Sequence, residues 1–355
     1  MDIPHNKPSL GEEEIEAIKN VIDSGWIVQG ERIEEFENLL SEFLEFPSGH
    51  AAAVSNGTSA LYLALKILDV EQGDEIIIPT YVCSAVLNAI YMANAIPVIV
   101  DVNSTDFNIS YSEIIKNITD DTQAIIVPHI FGVPAEINKI NQLDIPLIED
   151  CAQALGTKID NQYVGTFGDI SVFSFYASKM ITTAQGGMLV SKNKRYIKKA
   201  KDYLNFDYRK EYYPRFNFQM TDIQAAMGIV QLNKLNGFLK NRRLIAKEYK
   251  DICRKIGLDY QKPINDNRTH NSYRFVIKGR KKYLNKLKIK FEKAGIETII
   301  PIKNWELLHN YLNIQSEKFH VAEKISKSTL SLPIFPEILQ NKMLEEIKAI
   351  LRKGV

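Results

Sequence analysis

The sequence predicts an α/β protein with a mostly parallel central sheet covered by helices, followed by a smaller C-terminal α+β domain. Three observations carry this. Runs of Ile and Val without alternation recur between residues 50 and 190, which suits parallel strands covered on both faces. Helical segments separate these runs, as crossover connections require. After residue 195 the chain turns basic and aromatic, then strongly helical, and the repetition ends. The division is placed near residue 240, with residues 1–240 as the large domain and 241–355 as the small one; 355 residues supply material for both.

The opening stretch "SLGEEEIEAIKNVIDSG" predicts a helix with Ser9 as N-cap and Ile15, Ile18 and Ile22 as an apolar stripe at helical spacing. A second helix, "ERIEEFENLLSEFLEF", follows. "AAAVS" reads as a strand, "NGTS" as a turn and the next apolar stretch as a helix. "DEIIIPT", "IPVIVDV", "TQAIIVPHIFG" and "IPLIEDCAQ" are strands, with "SAVLNAIYMAN", "YSEIIKNI" and "EINKINQL" as the helices between them. "DISVFSF" and "GGMLVS" are two more strands, and Lys179 lies between them. The stretch opening with "TDIQAAMG" is one long amphipathic helix or two in series, capped by Thr221. Further on, "SYRFVIKG" and "IETIIP" read as strands, and "KKYLNKLKIKFEKAG" and "NKMLEEIKAILRK" as helices.

Composition excludes several functions. Hydrophobic residues make up 45% and charged residues 25%, as in an ordinary globular protein. With 44 basic and 43 acidic residues the net charge is +1, so neither nucleic acid nor an anionic membrane is an expected partner. No apolar run approaches bilayer length, and the start lacks a signal-peptide pattern. The scattered Cys83, Cys151 and Cys253 suggest a reducing, cytoplasmic setting without a disulfide framework. With no CxxC and no HExxH, no metal site is expected.

Chemistry-bearing residues gather at strand ends, where open parallel sheets bind ligands. In "SNGTSAL" the amides of Thr58 and Ser59 open a helix; this turn is either a simple cap or an anion site. Of Glu149 and Asp150, which end a buried strand, one projects toward the site; alternatively, the Asp caps the following turn. Lys179 stands in "SVFSFYASKMITTAQGGMLV", a segment that otherwise reads as interior. A buried amine has a lowered proton affinity and forms a Schiff base with an aldehyde; a snorkelling lysine is the plainer alternative. Ser174 adds a hydroxyl, and Gly186–Gly187 let the backbone pass close to something bulky. Together, a phosphate turn, a strand-end carboxylate and a lysine are what pyridoxal phosphate requires.

These segments, with "SGWIVQGERIEEFENLLSEF", "EDCAQALGTKIDNQYVGTFGD", "FNFQMTDIQAAMGIVQLNKL" and "TLSLPIFP", resemble the DegT/DnrJ-type sugar aminotransferases, a branch of the fold-type I pyridoxal phosphate enzymes. The resemblance spans nearly the whole chain. It implies that Lys179 bonds the cofactor and shuttles protons. Asp150 pairs with the ring nitrogen, and Gln153 lies near the ring's phenolic oxygen. Thr58, Ser59 and Ser174 bind phosphate, and Asn217 reaches the phosphate of a neighbouring subunit, hence a homodimer with shared sites. Phe216 and Phe218, beside it, are packing residues. Family members carry an aromatic residue over the ring in the loop that here reads "YVCSAV"; Cys83 stands closest to that position and Tyr81 two residues earlier, so both are candidates. Gln219 replaces the family's usual arginine, and "GIETIIPIKNW" lacks a histidine–tyrosine pair common there. The implied activity is transfer of an amino group from an amino acid, expected to be L-glutamate, to a keto group of a nucleotide-linked deoxysugar. The same transfer to a small phosphorylated ketone, another pyridoxal phosphate reaction and a sensor role are the competing readings. A nucleotide-binding oxidoreductase is disfavoured, because "SNGTSA" is not GxGxxG.

Overall fold

The computed structural model describes residues 2–265, 267–340 and 342–354. Seven strands build the main sheet: β1 (Ala51–Val54), β2 (Glu75–Pro79), β3 (Ile96–Val100), β4 (Thr122–Pro128), β5 (Leu147–Asp150), β8 (Ile170–Ser174) and β9 (Gly187–Val190). Their order is β1-β9-β8-β5-β4-β2-β3. Only β9 opposes the rest, antiparallel to both β1 and β8. The reason is local: residues 175–186, which join β8 to β9, carry no helix and fold straight back, whereas a parallel return needs a crossover.

The Ile/Val runs work as expected, because successive side chains enter opposite cores. Ile76, Ile78, Ile126, Ile148 and Val172 join one cluster, and Ile77, Ile125, Val127, Leu147 and Phe173 the other. The first face is covered by α3 (Gly57–Ile67), α4 (Ser84–Met92) and α7 (Lys194–Leu204). The second is covered by α2 (Glu31–Phe43), α5 (Tyr111–Asn117), α6 (Ile137–Ile140) and part of α8 (Asp222–Ile256).

Helix α1 (Glu12–Ser24) departs from expectation. Its N-cap is Gly11, whose N–H donates to Glu14 at 2.8 Å, while the Ser9 hydroxyl donates to Glu337. The apolar stripe faces outward: Ile15 is 60% exposed and Ile22 56%. The buried face instead carries Glu14, which accepts from Gln231 and Lys234 of α8. Helix α8 is a single element of 35 residues, about 50 Å long. Thr221 caps it in a reciprocal box with Gln224, and Gly257 ends it in the left-handed conformation.

Residue 240 lies inside α8, which continues into a third core. There β10 (Asp259–Tyr260), β12 (Phe275–Lys278) and β13 (Thr329–Leu332) form an antiparallel sheet ordered β10-β12-β13. It packs with α9 (Lys281–Lys293), α12 (Met343–Lys353) and the far half of α8. Two shorter helices, α10 (Leu308–Tyr311) and α11 (His320–Lys327), join the first core cluster instead. The "IETIIP" strand does not form. Ile296 bridges Ile3 and Ile299 bridges Ser331, single contacts on different neighbours from which no ladder extends. A third sheet, with β6 (Lys158–Ile159) between β7 (Gln162–Tyr163) and β11 (Arg268–Thr269), ties the two parts together. Among the described residues no helix is long and apolar enough to cross a membrane.

Candidate active site

A cavity of about 580 Å³ opens beyond the carboxyl ends of β5 and β8. Thr58, Ser59, Cys83, Asp150, Gln153, Ser174 and Lys179 all line it. Residues separated by more than 120 positions thus converge because the parallel strands present their ends to one edge.

The turn before α3 forms one wall. Asn56 caps the helix, its Oδ1 accepting from the Ser59 N–H at 2.9 Å. The amides of Gly57 and Thr58 are left without intrahelical acceptors, the arrangement that suits an anion. Ser174 presses against this turn: a Cβ on Gly57 would lie 3.0 Å from Ser174 Cβ. From the other side β9 comes so close that a Cβ on Gly187 would meet the Asn56 backbone at 2.5 Å. The close approach expected of the Gly186–Gly187 pair is therefore to the turn itself.

Strand alternation settles the Glu149–Asp150 pair. Glu149 points away from the cavity and is wholly buried; it accepts from His129 Nε2 (3.1 Å) and from the amides of Gly165, Phe167 and Gly168 (2.7–2.8 Å). Burial alone would raise its carboxyl, but the His129 hydrogen bond and these amides hold it below the usual range. Asp150 faces the cavity, and its Oδ1 accepts from the Ala152 N–H at 3.0 Å, so it also caps the following turn. Burial raises the Asp150 carboxyl, with the Ala152 amide and the charge of Lys179 acting in the opposite direction. Such a group lacks a cationic partner, and a protonated ring nitrogen would supply one.

Lys179 is half-buried rather than interior, in a turn whose amide donates to the Tyr176 carbonyl at 2.9 Å. Its Nζ makes no hydrogen bond or ion pair among the described residues and lies 5.7 Å from the centre of the Tyr273 ring. The loop is held from several sides. The Phe175 and Ala177 amides donate to the Gly186 and Ala184 carbonyls, and Asn6 Nδ2 donates to the Ser178 carbonyl at 3.2 Å. Gln153 Oε1 accepts from the Phe131 amide at 2.8 Å, which turns its NH₂ group to other partners.

Two candidates lie elsewhere. Tyr81 is wholly buried, edge-on to Phe107 and Phe131, and does not border the cavity; Cys83, at the N-cap of α4, does. Tyr81 is therefore withdrawn as a ring-covering residue: its side chain completes the core beneath the loop. Asn217 is exposed and outside the cavity, although the neighbouring Phe218 carbonyl accepts from the Ser55 amide at 2.7 Å, beside the anion turn. Phe216 and Phe218 stack on each other and meet Tyr62 edge-on, as expected of packing residues. Sequence reasoning passed over Asn56, Val172, Tyr176 and Gln185, which also line the cavity. Only Asn56 carries a local signal, the N-cap preference of asparagine.

An anion cradle, a carboxylate with no ion-pair partner among the described residues and an uncommitted amine in one cavity of an open α/β sheet define a pyridoxal phosphate-dependent aminotransferase of fold type I. The DegT/DnrJ/EryC1/StrS aminotransferase family model matches residues 8–352, and the chain belongs to that family. It is 37% identical over 281 residues to the GDP-perosamine synthase of Vibrio cholerae, covering 76% of each chain. Among solved structures, the aminotransferase TlmJ of Streptoalloteichus hindustanus superposes with a TM-score of 0.91 at 28% identity, covering 99% of this chain and 98% of that one. The PLP form of Spr1654 of Streptococcus pneumoniae superposes with a TM-score of 0.91 at 25% identity, covering 100% of both chains.

Proposed function

We propose that this enzyme moves an amino group from L-glutamate to the keto group of a nucleotide-linked deoxysugar. The observation that carries the reading is the convergence on one cavity of Lys179, with its uncommitted amine, and Asp150, whose carboxylate has no ion-pair partner among the described residues. The nucleotide-linked acceptor is supported by the likeness to a relative named for a GDP-linked sugar, perosamine.

Thr58, Ser59 and Ser174 hold the cofactor phosphate against the α3 turn. Asp150 would keep the ring nitrogen protonated, Gln153 would offer its amide to the phenolic oxygen, and Cys83 would border the ring. When bound, pyridoxal phosphate supplies the carbonyl that takes the donor's nitrogen and the ring that accepts the electron pair left at Cα. Lys179 Nζ would remove the proton from the donor Cα as a base and return it as an acid to the carbon across the transferred nitrogen, two bonds away. The protein then carries the amino group until the ketone arrives, so a ping-pong rate law is expected.

The working unit is a homodimer with shared sites. The outward stripe of α1 continues into Trp26, Ile27 and Val28, which are 46–61% exposed, and a second copy would cover this apolar face. Asn217, exposed beside the turn, then contributes to the partner's phosphate site. The three free cysteines fit a cytoplasmic setting.

The test is a two-stage absorbance experiment. L-Glutamate should convert the cofactor's aldehyde absorption to that of its amine form. The amine-loaded protein is then offered keto-sugar nucleotides and small phosphorylated ketones. Recovery of the aldehyde absorption by a keto-sugar nucleotide is expected. Recovery by a small phosphorylated ketone alone, or no response to any amino donor, overturns the reading.

A further inference from the structure

Arg274 enters β12 from the segment after Ser272, where the small sheet faces the large domain. Its guanidinium lies 5.4 Å from the centre of the Phe131 ring and 5.6 Å from that of Tyr273. Its Nε and Nη1 are buried and have no hydrogen-bond partner. The arginine ion pairs among the described residues involve Arg32, Arg209, Arg215 and Arg254, so no carboxylate answers Arg274. A buried cation without a counter-ion is costly, and a guanidinium fork matches a carboxylate in shape and charge. Arg242 makes the contrast. It is the more deeply buried of the two, and although its Nε also lacks a partner, its Nη groups donate to the carbonyls of Tyr273 and Ile334 and to Asn6.

The neighbouring groups register the same positive field. Burial, then Arg274 and Arg242, push the His5 imidazole down to about 3. Burial would raise the Tyr273 hydroxyl, yet the charges of Lys179 and Arg274, with further help from Ser178 and Arg242, hold it below its ordinary value. The Tyr273 ring is near both cations, its centre 5.7 Å from the Lys179 amine and 5.6 Å from the Arg274 guanidinium. Phe131, which Arg274 overlies, donates its amide to Gln153 in the cavity wall. The orphaned guanidinium is therefore one aromatic ring from the reacting amine and one residue from the cofactor cavity.

We infer that Arg274 binds a carboxylate of the amino donor and thereby selects acidic amino acids as donors. This rests on the transamination proposed above. The test titrates the pyridoxal phosphate-loaded protein with L-glutamate and follows the cofactor absorbance. Arg274→Gln should raise the half-saturating glutamate concentration by roughly 10- to 150-fold, the range for losing hydrogen bonds to a charged group. Arg274→Lys, which keeps the charge without the fork, should fall between. The half-reaction with the keto-sugar nucleotide, which carries no carboxylate, should change by no more than about twofold in both variants, a split that general structural damage would not give. Glutarate, an unreactive dicarboxylate, should compete with glutamate on the wild type, and the uncharged 1,5-pentanediol should not. This arm needs no variant and stands even if Arg274→Gln does not fold. An unchanged glutamate response in Arg274→Gln, an equal loss in both half-reactions, or failure of glutarate to compete overturns the inference while leaving transamination intact. A wild type unresponsive to every amino acid overturns transamination itself.

Discussion

The Lys179 amine is bound to nothing among the described residues, so no ion pair has to break before it reacts. That freedom separates it from lysines such as Lys234, which bridges Glu13 and Glu14. Lys179→Ala should leave the fold intact, because the loop is held by backbone bonds, Asn6 and Gln231 rather than by the amine. Borohydride treatment should fix the cofactor to the wild type and not to the variant, and turnover should fall by roughly 10⁴-fold or more; a variant that keeps turnover would refute the assigned role. Asp150 could be singled out in the sequence because it ends the apolar run of β5, and Lys179 because it is the one cation in a segment that otherwise reads as interior. Tyr81 was misplaced because the loop after β2 has no period from which to judge which side chain turns inward. Arg274 gave no signal at all: its lack of a partner is a property of the whole fold and not of "SYRFVIKG".

At the scale of elements, the buried strands were readable because neither face meets water, so apolar residues follow one another without polar alternation. Helix α1 was readable as a helix but not in its orientation, since Glu14 is buried through long-range partners on α8 while Ile15 and Ile22 are exposed. The segment between β3 and α5 holds a buried acid of a different kind. Asp106 is wholly buried; Oδ1 accepts from the Asn108 amide at 3.1 Å, but Oδ2 has no partner. Burial lifts its carboxyl from 3.8 to about 6. The native state therefore holds this proton more tightly than the unfolded chain. Stability falls as pH climbs from 3.8 to about 6 and is flat above, a loss on the order of 2–3 kcal/mol. Asp106→Asn, neutral throughout, should melt at a higher temperature than the wild type at pH 8, with the difference closing toward pH 4. Melting curves across that range check this, and a difference independent of pH would rule it out.

For the molecule as a whole there are three cores, and one long helix, α8, joins two of them. Two cover the faces of the main sheet and the third gathers Ile3 with residues from Ile245 onward. The apolar stripe of α1 and the Trp26–Val28 segment lie outside all three, with Ile15, Ile22, Trp26 and Val28 each more than half exposed. In the homodimer proposed above, Ile22→Asp should therefore shift the particle from two chains to one in sedimentation velocity without lowering the helix content. A variant with wild-type mass would place the subunit contact elsewhere. This face could be suspected in the sequence, where the stripe was visible. Which way it pointed was not, because a helix with one apolar side looks the same whether that side meets its own sheet or another chain.

One contact gives the opening residues an importance their position does not suggest. Ile3 bridges Ile296, the His5 amide donates to Glu297 at 2.9 Å, and Asn6 reaches the Ser178 carbonyl, one residue before Lys179. The segment works as a clasp, fastened at one end to the stretch that follows α9 and at the other to the loop that aims the amine. A protease trimming residues 2–9 would cut no strand of the main sheet and remove no residue from the cavity wall. It would nonetheless slacken the lysine's mooring and disarm the enzyme from a distance.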